Sequence, residues 1–206
     1  MKKIAVMISG GGTNLQSLID RIHLKHAEID LVISNRKNAY GLERAAAAGI
    51  DTMCVSCKQY PDDEEFDGII VEELIKRDIE LVVLAGYLKI LTKSFLQKYR
   101  DRIINIHPSL IPSFCGEGFY GERVHRSVFE KGVKVTGATT HFVSEEVDGG
   151  HIIMQEAVAI NENDGVEDIA HKVLEIEHRI LSETVRAYLE DRIVIKNNRA
   201  FVREGK

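Results

Sequence analysis

The sequence predicts an α/β fold built on a mostly parallel, twisted sheet with helices on both faces. Strand-like and helix-like segments alternate through the first half of the chain, the order that places parallel strands under crossover helices. Leu81-Val82-Val83-Leu84-Ala85 is apolar at every residue, as strands covered on both faces are. The helical segments repeat apolar residues at spacings of three and four.

Lys3 to Ile8 reads as the first strand, followed by a glycine turn over Ser9 to Gly12. Asn14 to His26 is expected to be helical, with Leu15, Leu18, Ile19 and Ile22 on one face. Glu28 to Ser34 is the second strand. Gly41 to Ala48 is an Ala-rich helix closed by Gly49, a residue suited to the left-handed position after a helix. Asp51 to Val55 is the third strand, and Glu64 to Arg77 a helix with Ile70, Leu74 and Ile75. Leu81 to Ala85 is the fourth strand, ended by Gly86. Thr92 to Tyr99 is a short helix with Thr92 as N-cap. Asp101 to Ile104 has strand character and runs into Asn105-Ile106-His107-Pro108-Ser109, where Pro108 stops the ladder.

Beyond this point the pattern changes. Ser113 to Arg123 reads as a loop and Val124 to Lys131 as a helix. Val133 to Val143 and Gly150 to Ala159 are strands joined by a hairpin over Ser144 to Gly149. Gly165 to Glu190 is a long helix with Ile169, Val173, Ile176 and Ile180 on one stripe, and Ile193 to Val202 a strand pair around Asn197-Asn198. No linker or repeat interrupts the 206 residues, so a single domain over 1–206 is expected.

Composition narrows the function. Apolar residues make up 44% and charged residues 29%, an ordinary globular balance. A net charge of −5 argues against nucleic acid as a partner. No apolar run approaches the roughly 20 residues that span a bilayer, so no membrane is expected either. The apolar run at the N-terminus is too short for a secretory signal. Three cysteines fit a reducing cytoplasm better than a disulfide framework. Cys54 and Cys57 form a C-x-x-C, but the pair follows a strand, and no second pair stands by to complete a zinc site. The histidines show no metal-ligand spacing, and no metal is expected.

Three features carry chemistry. In Asn105-Ile106-His107 the two polar side chains share one face of a strand end, because side chains alternate with period two. Ligands of open α/β sheets sit at such ends. An amide and an imidazole there can hold a carbonyl that is becoming an oxyanion. The same pair also fits local backbone bonding, the commoner role for strand-end polar residues.

Ser9-Gly10-Gly11-Gly12-Thr13-Asn14 joins the first strand to the first helix. Free backbone N–H groups and the positive helix end favour a phosphate there over a plain tight turn. It is neither a Walker loop nor a full dinucleotide fingerprint, because Leu15 stands where a third glycine belongs. Asp148, followed by Gly149-Gly150, stands in a turn that could aim its carboxylate inward, the glycines allowing backbone conformations closed to other residues. A carboxylate beside His107 would raise the histidine pKa. By itself Asp148 reads better as a solvated turn residue.

Four segments together resemble the folate-dependent phosphoribosylglycinamide formyltransferases of purine synthesis: Ile8 to Asn14, Leu84 to Leu91, Asn105 to Pro112, and His141 to Gly150. The resemblance covers nearly the whole chain and implies a Rossmann-like formyltransferase fold. It implies catalysis by Asn105, His107 and Asp148, and binding of the ribotide phosphate by Gly12, Thr13 and Asn14, with Glu177 a further ribotide contact. It places the pterin of 10-formyltetrahydrofolate against Leu88, Lys89, Ile90 and Leu91, near Asn105 and the hairpin before Asp148. The implied partners are glycinamide ribonucleotide and the formyl-folate, in a cytoplasmic monomer or homodimer.

Two departures from that pattern stand out. Asp62-Asp63-Glu64-Glu65 occupies a segment where the family often carries a folate-contacting arginine, and the loop Ser113 to Val124 is longer than in the shorter members. Formyltetrahydrofolate deformylase shares the Asn/His/Asp set but usually has an extra N-terminal domain. Methionyl-tRNA formyltransferase adds a C-terminal RNA-binding domain. A non-catalytic dinucleotide-binding module using Gly10, Gly12 and Arg36 is the alternative of a different class.

Overall fold

The computed structural model describes residues 1–205. The chain forms two compact units, Met1–Asn105 and Ile106–Lys206. Pairing is parallel across strands β1 to β5 and antiparallel in the later hairpins, a mostly parallel α/β fold.

The first unit alternates β1 (Lys3–Ile8), α1 (Thr13–Arg21), β2 (Glu28–Ser34), α2 (Tyr40–Ala47), β3 (Asp51–Cys54), α3 (Asp63–Lys76), β4 (Leu81–Leu84), α4 (Lys93–Lys98) and β5 (Ile103–His107). Its strands lie in the order β3-β2-β1-β4-β5. The chain walks outward from β1 to β3, then crosses back to place β4 on the other side of β1. Right-handed crossovers therefore put α1 and α2 on one face and α3 on the other. Reversal of direction between β1 and β4 opens a crevice at their carboxyl ends, the usual ligand position in such sheets. β1 and β4 are buried at nearly every residue, and β3 is an exposed edge.

Several boundaries differ from the sequence expectation. α1 stops at Arg21 instead of reaching His26. Leu24 is left-handed at φ 57, and the Ile22 carbonyl collects the N–H groups of Lys25, His26 and Ala27. His23 accepts from the Ile29 N–H through Nδ1 at 3.0 Å, so its side chain serves the entry to β2. Of the apolar residues named on α3, Ile70 and Leu74 are buried beside Phe66, whereas Ile75 is 46% exposed. Thr92 caps α4 by accepting from the Phe95 N–H, and Gly49 takes φ +72 after α2, both as expected.

The second unit holds α5 (Glu122–Lys131), β6 (Val135–Phe142), β7 (Ile152–Ala159), α6 (Val166–Leu189), β8 (Ile193–Lys196) and β9 (Arg199–Val202). α6 lies against β6, β7 and α5. Its stripe of Ile169, Val173, Ile176 and Ile180 is buried, as the spacing predicts. Asn197 and Asn198 take φ 51 and 57 between β8 and β9, the pair of left-handed residues that a tight two-residue hairpin requires. α5 begins two residues before Val124, at Glu122, after Gly121 at φ 52. Among the described residues no helix is long and apolar enough to cross a membrane.

Candidate active site

In the first unit the crevice between β1 and β4 is closed by Ser9. Its N–H donates to the Gly86 carbonyl at 3.0 Å. Its hydroxyl donates to Asn35 Oδ1 at 2.7 Å and accepts from the Leu88 N–H at 2.9 Å. One serine thus ties the glycine turn to the end of β2 and to the segment after β4.

The turn itself is shaped by close approach. Gly12 lies at φ +71, and a Cβ there would stand 2.7 Å from Gly41 Cα. A Cβ on Gly41 would meet Ile8 Cδ1 at 2.4 Å, and the Gly41 N–H donates to the Gly10 carbonyl at 3.1 Å. Gly12 is therefore required by backbone packing as well as by any ligand. Around Gly10 and Gly11 a Cβ would meet nothing within 4 Å. Arg44, reaching back from α2, donates through Nε to the Gly11 carbonyl at 2.9 Å and through Nη1 to Gln16 Oε1 at 3.2 Å. The first turn of α1 carries no acidic side chain, so its positive end is uncompensated. Thr13 opens that turn and is exposed, while Asn14 is buried. Ser9 stood in the glycine motif without a role of its own, and Arg44 was marked by no motif; a lone arginine on an Ala-rich helix does not announce its reach.

Tyr87 to Leu91 is irregular backbone leaving β4. Leu88 is 41% and Ile90 62% exposed, two apolar side chains offered to solvent, whereas Leu91 is buried. Lys89 pairs with Asp63 at 2.5 Å and lies over the Phe66 ring, 4.9 Å from its centroid. The acidic run Asp62 to Glu65 is the N-cap and first turn of α3, where carboxylates face the positive helix end.

β5 carries Asn105 and, two residues on, His107; Leu84 of β4 pairs with Asn105. In the second unit His107 is buried and faces two groups. Its Nδ1 lies 3.5 Å from Asp148 Oδ2. Its Nε2 lies 2.9 Å from the Phe114 carbonyl, which can only accept, so Nε2 carries hydrogen and Nδ1 is the nitrogen that titrates. His141, also buried, sets Nε2 3.5 Å from Asp148 Oδ1. The Gly116 N–H donates to Asp148 Oδ2 at 2.8 Å. One carboxylate therefore stands between two imidazoles and a backbone donor.

Local structure explains this convergence. The β6–β7 register shifts between Thr140 and His141, where the pairing passes over Ile153 of β7, just before the hairpin that carries Asp148. Asp148 itself, at φ 57, adopts the left-handed conformation; Gly149 and Gly150 do not, contrary to the reason expected for them. Their value is space. A Cβ on Gly150 would lie 1.8 Å from the Phe142 carbonyl oxygen, and one on Gly149 would lie 2.6 Å from the Glu146 side chain. The exit from β5 is fixed by Thr139, which donates to the Ser109 carbonyl at 2.6 Å and accepts from the Ile111 N–H at 3.2 Å.

Asp148 raises the His107 pKa as expected, but burial outweighs it. Burial pushes the His107 imidazolium below the ordinary histidine value; Asp148 and the Phe114 carbonyl oppose that shift without reversing it. Burial alone would raise the Asp148 carboxyl. The His141 hydrogen bond, the nearby His107 and the Gly116 N–H outweigh it and hold the carboxyl below the usual carboxylate range. Burial thus favours the neutral form of His107, beside an Asp148 whose carboxylate form is favoured.

Glu177 is buried in the middle of α6. Cys54 and Cys57 are exposed, and burial pushes the Cys54 thiol up, the reverse of an activated redox thiol. Among the described residues no group of three or more His, Cys, Asp or Glu side chains could hold a metal ion.

Comparison with known proteins decides the family. The sequence profile of the family described as Formyl transferase matches residues 2–185. Phosphoribosylglycinamide formyltransferase of Haemophilus influenzae is 42% identical over 208 residues, covering 100% of this chain and 95% of that protein. The chain is a member of the phosphoribosylglycinamide formyltransferase family. A formyltransferase of known structure, glycinamide ribonucleotide transformylase 1 from Symbiobacterium toebii, superposes with a TM-score of 0.92 at 42% identity, covering 99% of this chain and 95% of its own. The trifunctional purine biosynthetic protein adenosine-3 of Gallus gallus is 47% identical over 86% of this chain, which spans only 17% of its length. As a formyltransferase, the chain is an enzyme of small-molecule chemistry in purine biosynthesis.

Proposed function

We propose that the chain, as one formyltransferase domain over residues 1–206, transfers the formyl group of 10-formyltetrahydrofolate to the amine of glycinamide ribonucleotide. The setting is the cytoplasm and de novo purine biosynthesis. The observation that carries this reading is the Asp148 carboxylate set 3.5 Å from His107 and 3.5 Å from His141.

The amine nitrogen attacks the formyl carbon, and the carbonyl electron pair moves to oxygen. Asn105 donates its amide to that oxygen. His107 begins neutral and donates its Nε2–H to the same oxygen, while the proton released by the attacking amine passes through water to Nδ1 and makes the imidazolium that stabilises the oxyanion. Asp148 stabilises the transient charge. Collapse breaks the bond from carbon to the folate nitrogen, which leaves with the proton returned by His107. Preorganised donors of this kind are worth about 10²–10³ in rate each. For His107 to turn Nε2–H toward substrate, the Phe114 carbonyl must give up its hydrogen bond, which makes Ser113 to Val124 the segment that rearranges.

The ribotide phosphate is assigned to the turn of Gly12, Thr13 and Asn14, with the exposed backbone of Gly10 and Gly11 beside it and Glu177 as a further ribotide contact. The formyl-folate is assigned to Leu88, Lys89, Ile90, Leu91 and Asn105; the two exposed apolar side chains, Leu88 and Ile90, suit a flat heteroaromatic ring.

The test is release of tetrahydrofolate from 10-formyltetrahydrofolate by the purified chain, with and without glycinamide ribonucleotide. Product that appears only with the ribotide is expected. Formate released at the same speed without it would replace the transferase by a hydrolase.

A further inference from the structure

Beneath the segment assigned to the folate lies a buried polar pair that the mechanism above does not use. Asp67, on the second turn of α3, is 0% exposed. One of its oxygens, Oδ2, accepts the Thr92 N–H at 2.7 Å. The other, Oδ1, is buried with no hydrogen-bond partner among the described residues. Tyr87 is 8% exposed, and its buried hydroxyl has no partner among the described residues either. The two groups lie within electrostatic reach of each other: burial and then the Asp67 carboxylate push the Tyr87 phenol well above its usual value. A buried donor or acceptor left unpaired is costly, and a site with polar groups on two sides suits one internal water.

We infer that Asp67 is a positioning residue for the formyl-folate segment, holding Thr92 directly and Tyr87 through one buried water. Tyr87 and Thr92 bracket Leu88 to Leu91, so a single carboxylate fixes both ends of the segment. Other contacts from α3 act in the same direction. Asp63 holds Lys89 at 2.5 Å, and the Glu64 carboxylate accepts from the Ser94 hydroxyl. The acidic start of α3 thereby serves as a clasp on the chain after β4. Asp67 is its buried member, out of reach of solvent screening.

The inference rests on the assignment of the folate to Leu88–Leu91, and the test separates the two. In the full chain, Asp67→Asn and Tyr87→Phe are compared with Ile90→Ala, using KM for formyl-folate, KM for ribotide and kcat. If the assignment holds, Ile90→Ala raises the formyl-folate KM; if Ile90→Ala leaves it unchanged, the folate lies elsewhere. Asp67→Asn replaces a charge-assisted bond to Thr92 and should raise the formyl-folate KM about tenfold, with kcat and ribotide KM within about twofold. Tyr87→Phe removes only the hydroxyl, and an increase of about threefold to fivefold is expected. The double variant should match Asp67→Asn alone, because both changes break one link. Additive effects, or variants that lower the melting temperature with all kinetic constants intact, would overturn the inference while leaving the Ile90 result standing. Should Asp67→Asn fail to fold, Tyr87→Phe alone still decides, since an unchanged formyl-folate KM refutes the link.

Discussion

Asp148 approaches His107 at 3.5 Å from a left-handed backbone conformation, φ 57, that holds its carboxylate out of solvent with 10% of the side chain exposed. Aspartate is among the few side chains that enter this conformation at low cost. The same residue meets a geometric demand of the turn and an electrostatic demand of the histidine.

Removing a group that acts chiefly in the transition state should cost rate and spare the fold. Asn105→Ala and His107→Ala are each expected to lower kcat by about 10²–10³, with a far-ultraviolet circular dichroism spectrum like that of the parent. Near-normal turnover in His107→Ala would remove it from the mechanism.

Asp148 raises the His107 pKa against the larger, opposing effect of burial. With a neutral His107 as the active form, kcat/KM falls as pH drops through a histidine pKa below the ordinary 6.5. In Asp148→Asn the carboxylate is gone, the imidazolium is less favoured, and that pKa falls further. The acid limb should move to lower pH while the plateau drops. Histidine ring proton shifts followed by NMR against pH check the sign; an unchanged His107 titration refutes the electrostatic role.

The glycine turn calls for gentler probes than Gly12, whose replacement would collide with Gly41 Cα at 2.7 Å. Gly11→Ala adds a methyl where no atom lies within 4 Å, so the parent fold should survive. If the phosphate sits there, the methyl raises the ribotide dissociation constant and leaves that of the folate alone. Thr13→Val removes a hydroxyl bond to a charged group, about 1.5–3 kcal/mol or roughly tenfold to a hundredfold in ribotide affinity. Titration calorimetry with each ligand separately distinguishes the turn's substrate; lost folate affinity with ribotide affinity retained would reverse the assignment.

His125 on α5 is buried, its Nδ1 lacks a hydrogen-bond partner among the described residues, and burial lowers its pKa from 6.5. The unfolded chain therefore binds a proton that the folded chain refuses as pH falls below 6.5. The linked stability is complete above that pH and declines below it, by at most about 1.4 kcal/mol per pH unit for one group. Urea unfolding of His125→Leu should show a shallower loss between neutral and mildly acid pH. Identical slopes would mean that other groups carry the acid sensitivity.

Hydrogen exchange addresses the loop. Amides of Ser113 to Val124 are expected to exchange faster without ligand than with glycinamide ribonucleotide, given Gly116, Gly118 and Gly121 at positive φ and the Phe114 contact with His107. Equal protection in both states argues against any rearrangement.

The parallel sheet was legible because hydrophobic runs and glycine punctuation are local signals. Leu81 to Leu84 is buried throughout, and the α6 stripe faces inward at every expected position. The end of α1 was not legible, because Leu24 in a left-handed conformation is set by closure around the Ile22 carbonyl and no breaker residue marks it. At the site, Asn105 and His107 were visible as strand-end neighbours. The hairpin glycines were visible too, but the sequence did not reveal that they make room while Asp148 takes the unusual dihedral. His141 carried no role in the sequence, because its approach to Asp148 exists only in the folded hairpin. The effect of Asp148 on the histidine pKa was legible, but the net lowering was not, because burial, the larger effect, is a property of the whole surrounding core.

The Phe114 carbonyl holds His107 Nε2 at 2.9 Å, and Phe114 does so at φ 52. Any compound that needs this imidazole must first evict the chain's own backbone. Its measured dissociation constant is then the intrinsic one divided by the fraction of molecules in which the histidine is already released. Compounds that ignore His107 escape that handicap, so ranking ligands by affinity alone would favour molecules that bind beside the chemistry over those that imitate it.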